Sequence, residues 1–289
     1  MREAVSADVA PMPVPDAALP DAAALESVRP VAVANARRDW LILLAASILA
    51  TIPVWIPTFP PMTDLPQHGA QIALLRQMLY PQQFAFAGDF DLNWFTPYLF
   101  GYMLAYVMVP AIGIVAAIKT VISLALVALP LSTALVMRET GTDRRWALLA
   151  IPAMFGFSYH WGFLNFLVAA PIGLVFVWLT LRQARQTTTA GAITLSITIV
   201  LLFFCHALIC VFFGFIAGCI LLASGTSVRN AVARVLPLAA VIPVAIFWTL
   251  RAKAKQRIVI WPDEWDMNWV TTTSTYYTCL LYTSPSPRD

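Results

Sequence analysis

Apolar runs of transmembrane length recur along this chain from Trp40 to Leu250, and no other feature restricts its fold as strongly. About 20 apolar residues cross the hydrocarbon of a bilayer, where every backbone N–H and C=O must find its partner within the protein. Helices meet that condition, so the runs predict an all-α, polytopic transmembrane bundle. Composition agrees: 60% of the 289 residues are hydrophobic and 11% are charged, about half the charged share of a soluble domain. The net charge is +3, and the Arg and Lys residues lie between the apolar runs. They read as topology determinants, and no nucleic-acid surface is expected. Cys205, Cys210 and Cys219 sit inside apolar runs as small hydrophobes, without metal-ligand spacing or a disulfide framework.

Residues 1–36, rich in Ala, Pro, Val and Asp, are expected to be a disordered tail; acidic and proline-broken, they make no signal peptide. Arg37-Arg38-Asp39 precedes a first span over Trp40–Pro57, which by the positive-inside rule puts the N-terminus in the cytoplasm. The loop 59–117 is then extracytoplasmic. Within it, residues 65–80 predict a helix lying on the membrane surface, with Leu65, Ile72, Leu75, Met78 and Leu79 on one face. Residues 97–137 are apolar throughout, apart from Pro110, Gly113 and Lys119. If 97–117 lies along the membrane without crossing, Arg138, Arg144, Arg145, Arg182, Arg185, Arg229 and Arg234 all face the cytoplasm, and Arg251, Lys253, Lys255 and Arg257 face out. Seven against four favours that arrangement. It gives about seven spans: the first, one over 118–137, a hairpin over 146–181 turning at 158–162, a hairpin over 191–224 turning near Cys205-His206, and one over 235–250. The transmembrane bundle thus covers 37–250. Residues 251–278 form an outward segment with Trp261, Trp265 and Trp269 at four-residue spacing. Residues 279–289, Cys-Leu-Leu-Tyr-Thr-Ser-Pro-Ser-Pro-Arg-Asp, resemble a translated sequencing adapter. They are expected to be a non-native tail on a chain that continues past about Thr278.

The chemistry-bearing residues gather on the outer side of this topology. Asp64 and His68, in Pro-Pro-Met-Thr-Asp-Leu-Pro-Gln-His, are four apart and share a helix face. Asp64 and Gln67 also have the spacing of a capping box, so a structural role competes with an acid–base one. The three histidines, His68, His160 and His206, fall after the first span and at the two outer hairpin turns. With Asp64, Asp89, Asp91 and Asn165 they have the placement of one outer-leaflet pocket, where ionisable groups are costly and usually functional. Trp94 and the aromatic residues after it read either as interface anchors or as a platform for a sugar ring or a polyprenyl chain. There is no phosphate-cradling glycine loop, nucleophile elbow or paired-His zinc helix.

Three stretches carry a resemblance: Pro60-Pro-Met-Thr-Asp-Leu-Pro-Gln-His68, Asn93-Trp-Phe-Thr-Pro97 and Trp161-Gly-Phe-Leu-Asn-Phe166, with Phe204-Cys-His206 adding less. Over about residues 40–225 the chain resembles the GT-C superfamily of polytopic glycosyltransferases, and bacterial membrane proteins sharing their N-terminal half. The resemblance implies surface helices in the first outer loop, a polyprenyl-phosphate-linked sugar as donor, and an acidic residue acting on the acceptor. Asp64 matches that acid. Many members pair two acids there, whereas here Asp64 stands alone with His68 nearby, and His160 occupies the turn where a second acid is expected. A divalent metal held by His and Asp is a further candidate.

The expectation is therefore an integral membrane glycosyltransferase with Asp64 as base. His68, His160, His206, Asn165, Asp89, Asp91 and Trp94 would hold the lipid-linked sugar. The rivals are a transporter or flippase for a lipid-linked or small polar solute, which predicts broken helices and mid-membrane polar groups, and a non-catalytic membrane subunit.

Overall fold

A computed structural model describes residues 37–79 and 92–255. Asp89, Asp91, the tail 1–36, the tryptophan stripe at 261–269 and the residues 279–289 lie outside the described residues. Within them the chain is helical, with no strand. Helix α1 (Arg37–Trp55) is followed by α2 (Leu65–Met78) and α3 (Leu99–Glu139). A 3-10 turn, Arg144–Leu149, leads to the short α4 (Ala150–Ala153) and α5 (Phe157–Trp161). The remainder is α6 (Leu164–Arg185), α7 (Thr189–Cys205), α8 (Ala207–Ala223), α9 (Val228–Val235) and α10 (Val241–Lys255).

Among the described residues, four stretches are long and apolar enough to cross a bilayer: Arg37–Trp55, Leu99–Glu139, Leu164–Arg185 and Val228–Arg251. Shorter apolar helices fill Thr189–Cys205 and Ala207–Ala223. Leu41, Leu49, Ile56, Ile197, Val211 and Phe215 are exposed on helix faces. In water such a surface would be costly; in lipid it needs no partner. The chain divides between Ile242 and Pro243. In the second unit, the Arg251 guanidinium sits over the Phe247 ring, 5.2 Å from its centroid.

The core of the first unit lies where α2, α3, α5 and α6 meet. Ile72, Ile122, Leu126, Met154 and Leu164 are fully buried there, and α3 and α6 share the largest interface. Helix α3 is 41 residues long but is broken at Gly113, whose φ of 78° and ψ of 167° are not helical. Only glycine adopts that conformation without strain. The break leaves 114–139 long enough to cross a bilayer and 99–112 too short to do so unaided. Lys119, 6% exposed, lies just beyond the break and donates from Nζ to the Pro57 carbonyl at 2.6 Å; it also faces the Trp55 ring. A charge this deep needs such partners, and these pin the end of α1 to α3.

The expected span over 146–157 takes another form. A 3-10 turn of six residues and a single α-turn of four replace one continuous helix. Ala147 packs at the level of Ala134, and Tyr159 packs with Ala125 and Leu126, so this irregular stretch climbs alongside α3 in the opposite direction. Pro152 and Gly156 interrupt it, and backbone of this kind is tolerated at membrane depth where protein covers it.

Candidate functional site

A cavity of about 570 Å³ opens where α2, the segment before α3, and the ends of α6 and α8 converge. Asp64, His68, Asn165 and His206 are all in its wall, with Tyr98 and Tyr102. Residues distant in the sequence reach it because the loop before α2 docks on the α5–α6 turn. The backbone N–H groups of Thr63 and Asp64 donate to the carbonyls of His160 and Trp161, each at 3.0 Å. Gly162 permits this approach. Its φ is +81°, and a Cβ there would stand 3.0 Å from the Asp64 nitrogen and 3.2 Å from the Met62 Cβ.

His68 has both ring nitrogens engaged. Nε2 is 2.8 Å from the Gly162 carbonyl oxygen, which can only accept, so Nε2 carries the proton. Nδ1 therefore accepts from the Tyr102 hydroxyl, 2.7 Å away. Burial holds the imidazole below its ordinary value of 6.5; the Gly162 carbonyl and the Asp64 charge pull the other way without reversing it. A neutral ring with one fixed tautomer is a positioning group, and it has no lone pair left for a metal.

Asn165 stands in the same cavity wall as Tyr102. Asn165 is 6% exposed, and its Oδ1 has no hydrogen-bond partner. Gly101 makes the room, since a Cβ there would lie 2.5 Å from that oxygen. A buried amide oxygen without a partner is costly, and this one lies against Gly101 behind the cavity wall to which Asn165 belongs.

Asp64 stands at the N-cap position of α2, but its side chain makes no capping hydrogen bond. The expected capping box does not form, and the carboxylate is left for the cavity. His206 is the N-cap of α8, with Nδ1 accepting weakly from the Ile209 N–H at 3.5 Å. Its proton is then on Nε2, beside the N-terminal end of a 17-residue helix, an arrangement suited to an anionic group. The rings of Tyr98 and Phe166 hold it edge-on, at centroid distances of 4.8 and 5.7 Å. Tyr98 begins α3 at φ 82°, a strained conformation for a bulky residue and a frequent mark of functional sites.

Two further predicted residues, His160 and Trp94, lie elsewhere. His160 is exposed and outside the cavity wall; it contributes its backbone carbonyl to the Thr63 contact. Trp94 is also exposed and outside the wall, whereas its neighbour Asn93 lines it. Among the described residues no three His, Cys, Asp or Glu side chains gather as a metal set. Tyr102, Gly101 and Gly162 carry the site without having been singled out by sequence. Tyr102 reads there as one more interfacial aromatic residue, and each glycine matters only through a Cβ it lacks.

The opposite end of the bundle is basic. Arg145 pairs with Asp39 at 3.2 Å and Arg185 with Glu139 at 3.1 Å, while Arg234 donates to the Ala184 carbonyl at 2.8 Å. Asn165 is the second and Arg185 the last residue of the 22-residue α6, so the cavity and the arginines are about 30 Å apart along it. The chain matches no protein-family model, no curated protein and no solved structure.

Proposed function

We propose that this chain is an inner-membrane glycosyltransferase of GT-C type, transferring a sugar from a polyprenyl-phosphate donor at the extracytoplasmic face. The observation that carries the reading is the Asp64 carboxylate, left uncapped at a cavity lined by Asn165 and His206. In this scheme the acceptor hydroxyl attacks the anomeric carbon and its proton passes to Asp64. The bond from that carbon to the phosphate oxygen breaks, and polyprenyl phosphate leaves with the electron pair. His206 Nε2–H faces the phosphate, and Asn165, in the same wall, lies beside the sugar. His68 and Tyr102, hydrogen-bonded to each other, hold that wall in place. The apolar wall of Leu74, Leu75 and Met78 suits a polyprenyl chain, and the volume lies within the usual range for a small-molecule site. The placement of seven arginines beyond the far end of the bundle supports an outward-facing cavity.

The test is sugar transfer by the purified protein with a polyprenyl-phosphate sugar. Asp64→Asn is expected to lower turnover by roughly 10²–10⁴-fold, the usual contribution of a general base. Wild-type turnover in that variant rejects Asp64 as the base. The break at Gly113 favours one rival, transport of a polar solute, since transporters place broken helices at their sites; solute uptake into proteoliposomes without transfer would select it.

A further inference from the structure

At the basic end, two adjoining hollows share Asp39, Arg144 and Arg145 in their walls. The larger, about 500 Å³, adds Arg138, Gly141, Thr142 and the acidic Asp143. The smaller, about 180 Å³, adds Arg38 and the apolar side chains Ile42, Leu43 and Leu148.

The acids at this end are already engaged. Asp39 pairs with Arg145, Glu139 pairs with Arg185, and the Asp143 carboxylate accepts from the Arg145 N–H to cap the 3-10 turn. Arg38, Arg138 and Arg144 are left without an ion-pair partner among the described residues. A topology determinant needs only to sit in water on the right side. Here Arg144 lines both hollows, with Arg138 in the larger and Arg38 in the smaller, so guanidinium groups outnumber the Asp39 and Asp143 carboxylates in their walls, and the apolar slot opens beside them. Leu41, Leu149 and Trp146, all exposed, continue the apolar surface away from the slot, with Trp146 suited to the headgroup level.

We infer that these hollows bind an anionic glycerophospholipid of the adjacent leaflet. The phosphate-bearing headgroup lies on Arg138 and Arg144, and an acyl chain enters the slot between Ile42 and Leu148. Arginine suits this role because its planar fork grips phosphate oxygens at two points. A soluble phosphate would satisfy the arginines but has no use for the apolar slot, so the juxtaposition selects a lipid.

The experiment is lipid binding to the purified full chain in uncharged detergent, read by native mass spectrometry, with phosphatidylglycerol, phosphatidylcholine and glycerol phosphate as probes. Phosphatidylglycerol is expected to bind more tightly than phosphatidylcholine, without competition from equimolar glycerol phosphate. Each arginine near an anionic headgroup is worth about fivefold, so Arg138→Gln with Arg144→Gln should weaken phosphatidylglycerol roughly twentyfold and leave phosphatidylcholine unchanged. The single variant Arg138→Gln, at an exposed position, serves if the double variant does not fold. Leu148→Asn should also weaken the lipid. Equal binding of the two lipids, or unchanged phosphatidylglycerol binding in the arginine variants, overturns the proposal. Effective competition by glycerol phosphate also overturns it, in favour of a soluble anion.

Discussion

His68 is held from both sides, by the Tyr102 hydroxyl and the Gly162 carbonyl, and its proton affinity is lowered by burial. As pH falls through 6.5, the unfolded chain takes up a proton that the folded chain refuses, so stability declines until the lowered folded-state value is reached. The unfolding temperature in detergent should therefore fall between pH 7.5 and 5.5, and His68→Gln should remove this part of the slope. Identical slopes would contradict the assignment. Gly162→Ala should cost about 1–3 kcal/mol, because it combines a left-handed conformation with a clash against the Asp64 backbone; denaturation measures it. At this scale the sequence pointed to Asp64 and His68 through their spacing. It could not show that His68 is held by Tyr102 and by Gly162, since these partners lie 34 and 94 residues away.

Among the elements, α2 spans Leu65–Met78 within the expected 65–80, but the single apolar face expected of it is not there: Leu75 and Met78 line the cavity with His68 and Gln71. The stretch over 146–157 was not legible, because an apolar composition does not distinguish a continuous helix from a 3-10 turn packed on α3. The contact between α6 and α8 has a sharp test. A Cβ on Gly173 would fall 2.1 Å from the Phe213 ring, so Gly173→Ala should destabilise the protein by about 1–3 kcal/mol. Phe213→Leu should restore part of that loss, giving a non-additive pair in thermal unfolding. Additive losses would mean that the two helices do not meet there.

For the whole molecule, the apolar runs announced a helical membrane protein, and four helices of spanning length and composition are present. What the sequence could not order was the set of long-range contacts. The docking of Thr63 and Asp64 on the α5–α6 turn and the arginine contacts at the far ends of α3 and α6 separate a cavity end from a basic end. The proposed transfer requires those ends to lie on opposite sides of one membrane. The most direct measurement is the accessibility of single cysteines, with the native ones removed, to a membrane-impermeant thiol reagent on intact cells. Asn93, Trp161, Thr142 and Val232, all exposed, are the positions to replace. Labelling at 93 and 161, with 142 and 232 protected until the membrane is permeabilised, is the predicted result. Labelling at 142 and 232 with 93 and 161 protected would turn the cavity towards the cytoplasm and contradict an extracytoplasmic transferase.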